Sequence, residues 1–275
     1  MSRFIKFWGV RGSIACPSPN HVQYGGNTSC IQVVLDGRHV VLDAGTGLRN
    51  LGASPDNKGV DHFALLMTHT HWDHIFGFPF FTPAYNPNVK LDVYAGHLHG
   101  NGGIENLLAS QMSDPMFPVP LANLHSQKTF VDFEAGAGFT LFEDIKVRTT
   151  PLNHPNGATG YRIDYQGHSL CYITDTEHVV GKPDENILSL IEGADYVIYD
   201  STYTEEEFPA KVGWGHSTWE EGMRLCKAAG ASNLVIFHHD PDHDDSFMEH
   251  LEKTAKATWE GCMVARDGMV IDLEG

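Results

Sequence analysis

Phe63-Ala64-Leu65-Leu66-Met67-Thr68-His69-Thr70-His71-Trp72-Asp73-His74 is the stretch that decides how this chain is read. Five apolar residues form a short buried-strand signal, and the run stops where the histidines begin. A chain leaving a buried strand through a tight turn can aim several side chains at one point. His69, His71, Asp73 and His74 put four ligand-type groups within six residues. Imidazole nitrogen and carboxylate oxygen in alternation suit zinc and neighbouring first-row metals. A loop merely rich in histidine has no reason to gather them at a strand end.

The same placement recurs further along. His154 follows the strand signal that ends at Thr150, and Asp175 closes Leu170–Thr174. Asp200 closes Tyr196–Tyr199, and His238 closes Leu234–Phe237. Loops converge at strand ends in layered α/β proteins, so these residues are candidates for one site. His239 and His243 crowd His238 and leave the identity of the last imidazole open among the three; His238 is preferred because it comes first after the strand. Asp43, which ends Val40-Val41-Leu42, reads as a carboxylate that braces the histidine turn through hydrogen bonds.

Composition bounds the rest. A chain of 275 residues, 41% of them hydrophobic, can bury a large core and fits one large domain, or two intimately fused halves, over 1–275. The formal charge of −17, from 35 acidic and 18 basic residues, argues against an electrostatic grip on extended nucleic acid. A small anionic substrate is compatible with it, because bound metal ions reverse the local potential. Five scattered cysteines without a C-x-x-C pair point away from a disulfide framework and towards a reducing, cytoplasmic setting. The first residues lack signal-peptide features, and no apolar run reaches the length of a membrane span.

Periodicity predicts strands over Phe4–Trp8, Ile31–Leu35 and Val40–Leu42, the last two joined by an Asp36-Gly37 turn, and a short helix after Gly47. Residues 76–133 read as an irregular, lid-like insertion with one strand at Val89–Tyr94. Within it, Met112–Pro120 carries apolar anchors as a cover for a pocket would. Further strands are predicted over 145–149, 158–165, 169–174, 196–199, 233–237 and 269–273. Helices are predicted over 183–191, 218–229 and 247–257. No repeat or linker interrupts the series, which predicts one α/β unit with two layered sheets.

With these motifs in this order, the chain resembles the metallo-β-lactamase-fold hydrolase superfamily, whose H-x-H-x-D-H hallmark is matched by His69, His71, Asp73 and His74. Asp43, His154, Asp175 and His238 match its remaining motifs. The resemblance implies a four-layer αβ/βα sandwich with two mixed β-sheets. It also implies two divalent metal ions, zinc first and manganese as the alternative. One would take His69, His71 and His154, the other Asp73, His74 and His238, with Asp175 bridging. Gly215-His216-Ser217-Thr218 and Asp200-Ser201-Thr202 are similar to elements of the phosphodiesterase branch, which holds ribonuclease Z and cyclic-nucleotide-type phosphodiesterases. Gly26-Asn27-Thr28-Ser29 resembles that branch's loop beside the substrate, which nominates Asn27, Thr28 and Ser29 as substrate contacts. Arg11 joins them through its fork of donors, suited to a phosphate oxygen.

The implied reaction is hydrolysis of a small phosphodiester, cyclic nucleotides included. Hydroxide held between the metals attacks phosphorus, with Asp73 in the catalytic centre. His216 protonates the leaving oxygen and Asp200 orients His216. Asp200 stands where ribonuclease Z has the longer Glu, and no long Gly/Pro-rich arm for gripping tRNA is evident. An RNA-processing endonuclease of ribonuclease Z type is therefore the first alternative, and a metal-dependent ester or lactone hydrolase the second. The expected partner is the small substrate itself, with no membrane, and with a homodimer as an option.

Overall fold

The computed structural model describes residues 2–273. Short apolar runs separated by Gly, Asp and Pro turns fold into two seven-stranded sheets. The first holds β1 (Arg3–Gly9), β2 (Cys30–Leu35), β3 (Arg38–Leu42), β4 (His62–Met67), β5 (Lys90–Ala95) and β6 (Gln127–Asp132). The second holds β7 (Gly138–Leu141), β8 (Ile145–Leu152), β9 (Ala158–Tyr165), β10 (His168–Ile173), β11 (Tyr196–Asp200), β12 (Asn233–Phe237) and β13 (Cys262–Val264). The last strand, β14 (Val270–Asp272), returns to pair antiparallel with β1. β3 to β6 are mutually parallel, as are β10 to β13, and the remaining pairs are antiparallel.

Residues alternate along these strands, so each sheet has an inner and an outer apolar face. The inner faces meet in a core that includes Ile5, Phe7, Val33 and Leu66 from one sheet and Val147, Tyr161, Ile198 and Phe237 from the other. On the outer face of the first sheet, Leu48 and Leu51 of α1 (Gly47–Ala53) belong to the same apolar cluster as Ile104 and Leu108 further along the chain. A single turn, α2 (Trp72–Ile75), follows β4, and α3 spans Gly103–Gln111. The outer face of the second sheet is covered by α4 (Glu185–Ile191), α5 (Trp219–Ala229) and α6 (Asp245–Thr258). The order is helix, sheet, sheet, helix, which is the αβ/βα sandwich. Caps set the helix starts: Thr218 accepts from Glu221 N and Asp244 from Phe247 N.

One expectation is corrected. Residues 76–133 are not irregular, because β5, α3 and β6 extend the first sheet and cover it. Met112 is fully buried in that outer core, and Phe117 stacks edge-on against Phe80 at 5.6 Å. Met112 is thus an anchor in the core, not part of a cover. β6 escaped notice because its residues are exposed or half-buried along its whole length, so no apolar alternation marks it. Among the described residues no helix is long and apolar enough to cross a membrane.

β8 and β10 both run antiparallel to β9, so they share a direction, and β11 and β12 are parallel to β10. Their carboxyl ends therefore open on one side of the sheet. β3 and β4 likewise end together in the first sheet. Ligand sites in open α/β sheets form outside such carboxyl ends.

Candidate metal centre

The strand ends deliver their side chains through turns of unusual backbone. Asp43, Asp175 and His238 all have left-handed φ, at 59°, 57° and 62°. Non-glycine residues pay on the order of 1 kcal/mol or more for this, and such strain persists where surrounding structure enforces it. Their side chains reach groups on other elements: Asp43 meets His74 and Tyr172, Asp175 meets His74, and His238 meets Thr202.

Two donor sets result. In the first, His69, His71 and His154 converge, with His154 Nε2 3.1 Å from His71 Nδ1. Asp175 Oδ1 lies 3.7 Å from both His69 Nε2 and His154 Nε2. In the second, Asp73, His74, Asp175 and His238 converge and all are buried. Asp175 Oδ2 lies 3.1 Å from His74 Nε2 and 3.3 Å from His238 Nε2, while Asp73 Oδ2 lies 3.2 and 3.3 Å from the same two atoms. The two oxygens of Asp175 are thus divided between the sets.

The donors fit divalent cations. His69 Nε2 is buried without a hydrogen-bond partner, and His74 Nε2 faces His238 Nε2 at 3.4 Å, an arrangement that a cation between them satisfies. Burial holds the His69, His71 and His154 imidazoles below their ordinary pKa, in the neutral form that ligates. Burial also disfavours a charged His74, but Asp175, Asp73 and Asp43 outweigh it and raise that group well above the usual range. Excess carboxylate charge of this kind is what a bound cation neutralises.

The far nitrogens are fixed. Asp43 Oδ2 accepts from His74 Nδ1 at 2.8 Å and from Tyr172 OH at 2.9 Å. It also accepts from Thr68 Oγ1, which in turn lies 3.1 Å from His69 Nδ1. Gly215 O takes the Nδ1 hydrogen of His154 at 2.8 Å. Thr202 Oγ1 accepts from His238 Nδ1 at 2.9 Å and donates to Asp200 Oδ1 at 2.8 Å. These partners select the tautomers that turn the other nitrogen to the metal. Two glycines give them room: a Cβ at Gly12 would stand 2.4 Å from His238 Nδ1, and one at Gly215, whose φ is +86°, 2.5 Å from His154 Nδ1.

His216 sits beside both donor sets, its ring 4.9 Å from His238 and 5.4 Å from His154. Its Nδ1 donates to Asp200 Oδ2 at 2.9 Å. Asp200 is fully buried and is held further by Thr176 N and Thr202 N. Burial works against a charged imidazole, but the charge and hydrogen bond of Asp200, with Asp175 and Asp73, raise His216 to about 9. Nδ1 being engaged, only Nε2 is left to meet another group.

The predicted ligands are all brought together, and His238 is separated from its neighbours. His239 turns away to Ala265 O, and His243 stacks on Phe247 and bonds Glu207. The substrate contacts fare differently. Arg11 is fully buried and donates to the carbonyls of Gly25, Asp240 and His243, so it ties loops together. Ser29 is fully buried, and Asn27 is committed to Asp267 and Thr46. Thr28 alone of that loop lines a cleft beside Asp73. Sequence reasoning missed Tyr172, Gly12 and Ser13, whose backbone N donates to Asp73 Oδ2 at 2.8 Å. Each acts across strands distant in sequence, so no local pattern marks it.

A family model described as a beta-lactamase superfamily domain matches residues 38–239. A ribonuclease Z from Haloarcula marismortui is 24% identical over 312 aligned residues, which cover 98% of this chain and 96% of that protein. The solved metallo-beta-lactamase fold protein YhfI from Bacillus subtilis superposes with a TM-score of 0.74 at 19% identity, covering 99% of this chain and 100% of its own. A diphosphatase from the PhnP family gives 0.69 at 19% identity, covering 99% and 98%. Fold, motif order and family match agree: the chain belongs to the metallo-β-lactamase-fold hydrolase superfamily, in the branch that includes ribonuclease Z.

Proposed function

We propose that the chain hydrolyses small phosphodiesters, cyclic nucleotides among them, at a pair of divalent metal ions. His69, His71 and His154 would hold one ion, Asp73, His74 and His238 the other, and Asp175 both. A pair of this kind supplies Lewis acidity and a water acidic enough to ionise near neutral pH. The observation that carries the reading is the combination of divided Asp175 oxygens with the His216–Asp200 pair at the rim. Metal binding alone needs no such pair. Breaking a bond to a poor alkoxide does, because the departing oxygen needs a proton at once.

The chain's own groups have distinct tasks in this reaction. Asp43 and Thr68 orient the histidine turn, Gly215 O orients His154, and Thr202 orients His238. Asp200 keeps His216 charged and presents its Nε2 to the leaving oxygen. The ribonuclease Z relative favours a second reading, RNA cleavage at the same centre, against which stands the net charge of −17. The test is a parallel assay of metal-replete protein on a cyclic nucleotide, bis-p-nitrophenyl phosphate, a precursor tRNA and a lactone. Faster turnover of the small diesters is expected. Precursor tRNA cleaved at a rival rate would favour the second reading, and a preference for the lactone would reject both.

A further inference from the structure

Exposed apolar side chains gather beside Asp73. Trp72 is 79% exposed, Ile14 64% and Phe76 54%. Single exposed apolar residues need no explanation, but three large ones around one hollow do. Between them lies a cleft of about 220 Å³ that shares Asp73 with the candidate metal centre. Phe76 N bonds Trp72 O at 2.8 Å, so the two rings stand one helical turn apart on the same side of the chain. Neither ring packs against another aromatic ring among the described residues. The opposite wall, Ile14 and Ala15, is fastened by the Ser13 N bond to Asp73 Oδ2. Both walls are therefore tied to Asp73, one by that bond and the other by adjacency in the chain.

The floor asks for no hydrogen bonds. Thr28 Oγ1 accepts from Thr46 N at 2.8 Å, and Thr28 N donates to Thr46 Oγ1 at 2.9 Å, so these polar groups satisfy one another. Asp73 is the only charged residue that lines the cleft, and no lysine, arginine or histidine does. A second phosphate or a carboxylate would find no cationic side chain in the cleft to pair with. An uncharged flat ring would cover Trp72, Phe76 and Ile14 without taking a hydrogen bond from Thr28 or Thr46.

We propose that the cleft between Ile14 and the Trp72–Phe76 pair receives an uncharged planar ring, of the nucleobase or phenyl kind, carried on one arm of the substrate. This rests on Asp73 belonging to a phosphate-handling centre. It makes Trp72 and Phe76 specificity residues that select aromatic diesters over alkyl ones. Stacking of a ring on an aromatic side chain is typically worth roughly tenfold to a hundredfold in binding.

The test compares methylphosphonate with phenylphosphonate, which share a head group and differ by the ring. Their dissociation constants are measured by calorimetry on metal-replete protein, and the same preparation is assayed on bis-p-nitrophenyl phosphate. Phenylphosphonate should bind roughly tenfold to a hundredfold tighter. Trp72→Leu, Phe76→Ala and Ile14→Ser should each shrink that ratio, with metal content checked by elemental analysis. Phe76 and Ile14 are not ligands, so their variants decide the matter if Trp72→Leu disturbs the metals. Quenching of tryptophan fluorescence by 4-nitrophenylphosphonate should weaken in Trp72→Leu. Both phosphonates binding equally, in protein that hydrolyses the diester, would overturn the ring subsite and leave the phosphodiesterase reading standing. Binding of neither, with no diester turnover, would overturn both.

Discussion

His216→Ala separates a proton donor from a ligand. His216 is 9% exposed and its Nδ1 is spent on Asp200, so the proton at stake is the one on Nε2. Against burial, Asp200, through its charge and its hydrogen bond, raises His216 to about 9 and so favours the charged form at neutral pH. Bound metals neutralise Asp73 and Asp175 and lower that figure, but the contact with Asp200 remains. Loss of a positioned general acid costs ~10²–10⁴-fold in rate. That loss should appear in kcat/KM for diesters with poor alkoxide leaving groups. A p-nitrophenolate leaves without help, so its loss should stay below about tenfold. The assay is a series of diesters with leaving groups of rising basicity, run at metal saturation, in which the variant shows the steeper dependence. The sign of the pH effect follows: the donor works only when protonated, so activity on alkyl leaving groups falls as pH rises through its pKa, at or below about 9. Asp200→Asn removes the main contribution that raises His216 and should move that fall to lower pH. Equal losses for good and poor leaving groups, or loss of metal in His216→Ala, would refute the reasoning.

Three further outcomes are expected. Asp175→Ala should weaken both metal ions together, whereas His154→Ala should chiefly release one, as read by elemental analysis after graded chelation. Gly215→Ala puts a Cβ 2.5 Å from His154 Nδ1 at a φ of +86°, so metal affinity should drop by at least the ~10–100-fold typical of disturbed ligand supports. Arg11→Lys leaves buried carbonyls short of donors and should lower folding stability by about 2 kcal/mol or more, measured by denaturant unfolding.

The candidate metal-binding residues were legible because each lies just past an apolar run, and a strand end is a local signal. His69, His71, Asp73 and His74 needed only the turn after β4, while His154, Asp175 and His238 needed the family order to be joined with them. Of their supports, Asp43 was legible at the end of its strand, but the others were not. Tyr172 reaches Asp43 across the space between the two sheets, and which strands face one another is set by packing, not by spacing. Arg11 was misread for a chemical reason: the fork of donors that suits phosphate also suits three backbone carbonyls, and only burial distinguishes them. Short or exposed elements were missed as well. β13 has three residues, and α3 opens with Gly103 after a Gly102 cap, so no capping side chain marks it. The Trp72 cleft lay inside the most conspicuous motif, yet its exposure is a tertiary fact.

The most direct test of a dinuclear phosphodiesterase is a metal titration of chelator-stripped protein, with bis-p-nitrophenyl phosphate hydrolysis followed at each addition of zinc or manganese. Activity should climb until two equivalents per chain are bound and then level off. A plateau at one equivalent, or full metal loading without diester hydrolysis, would contradict the account.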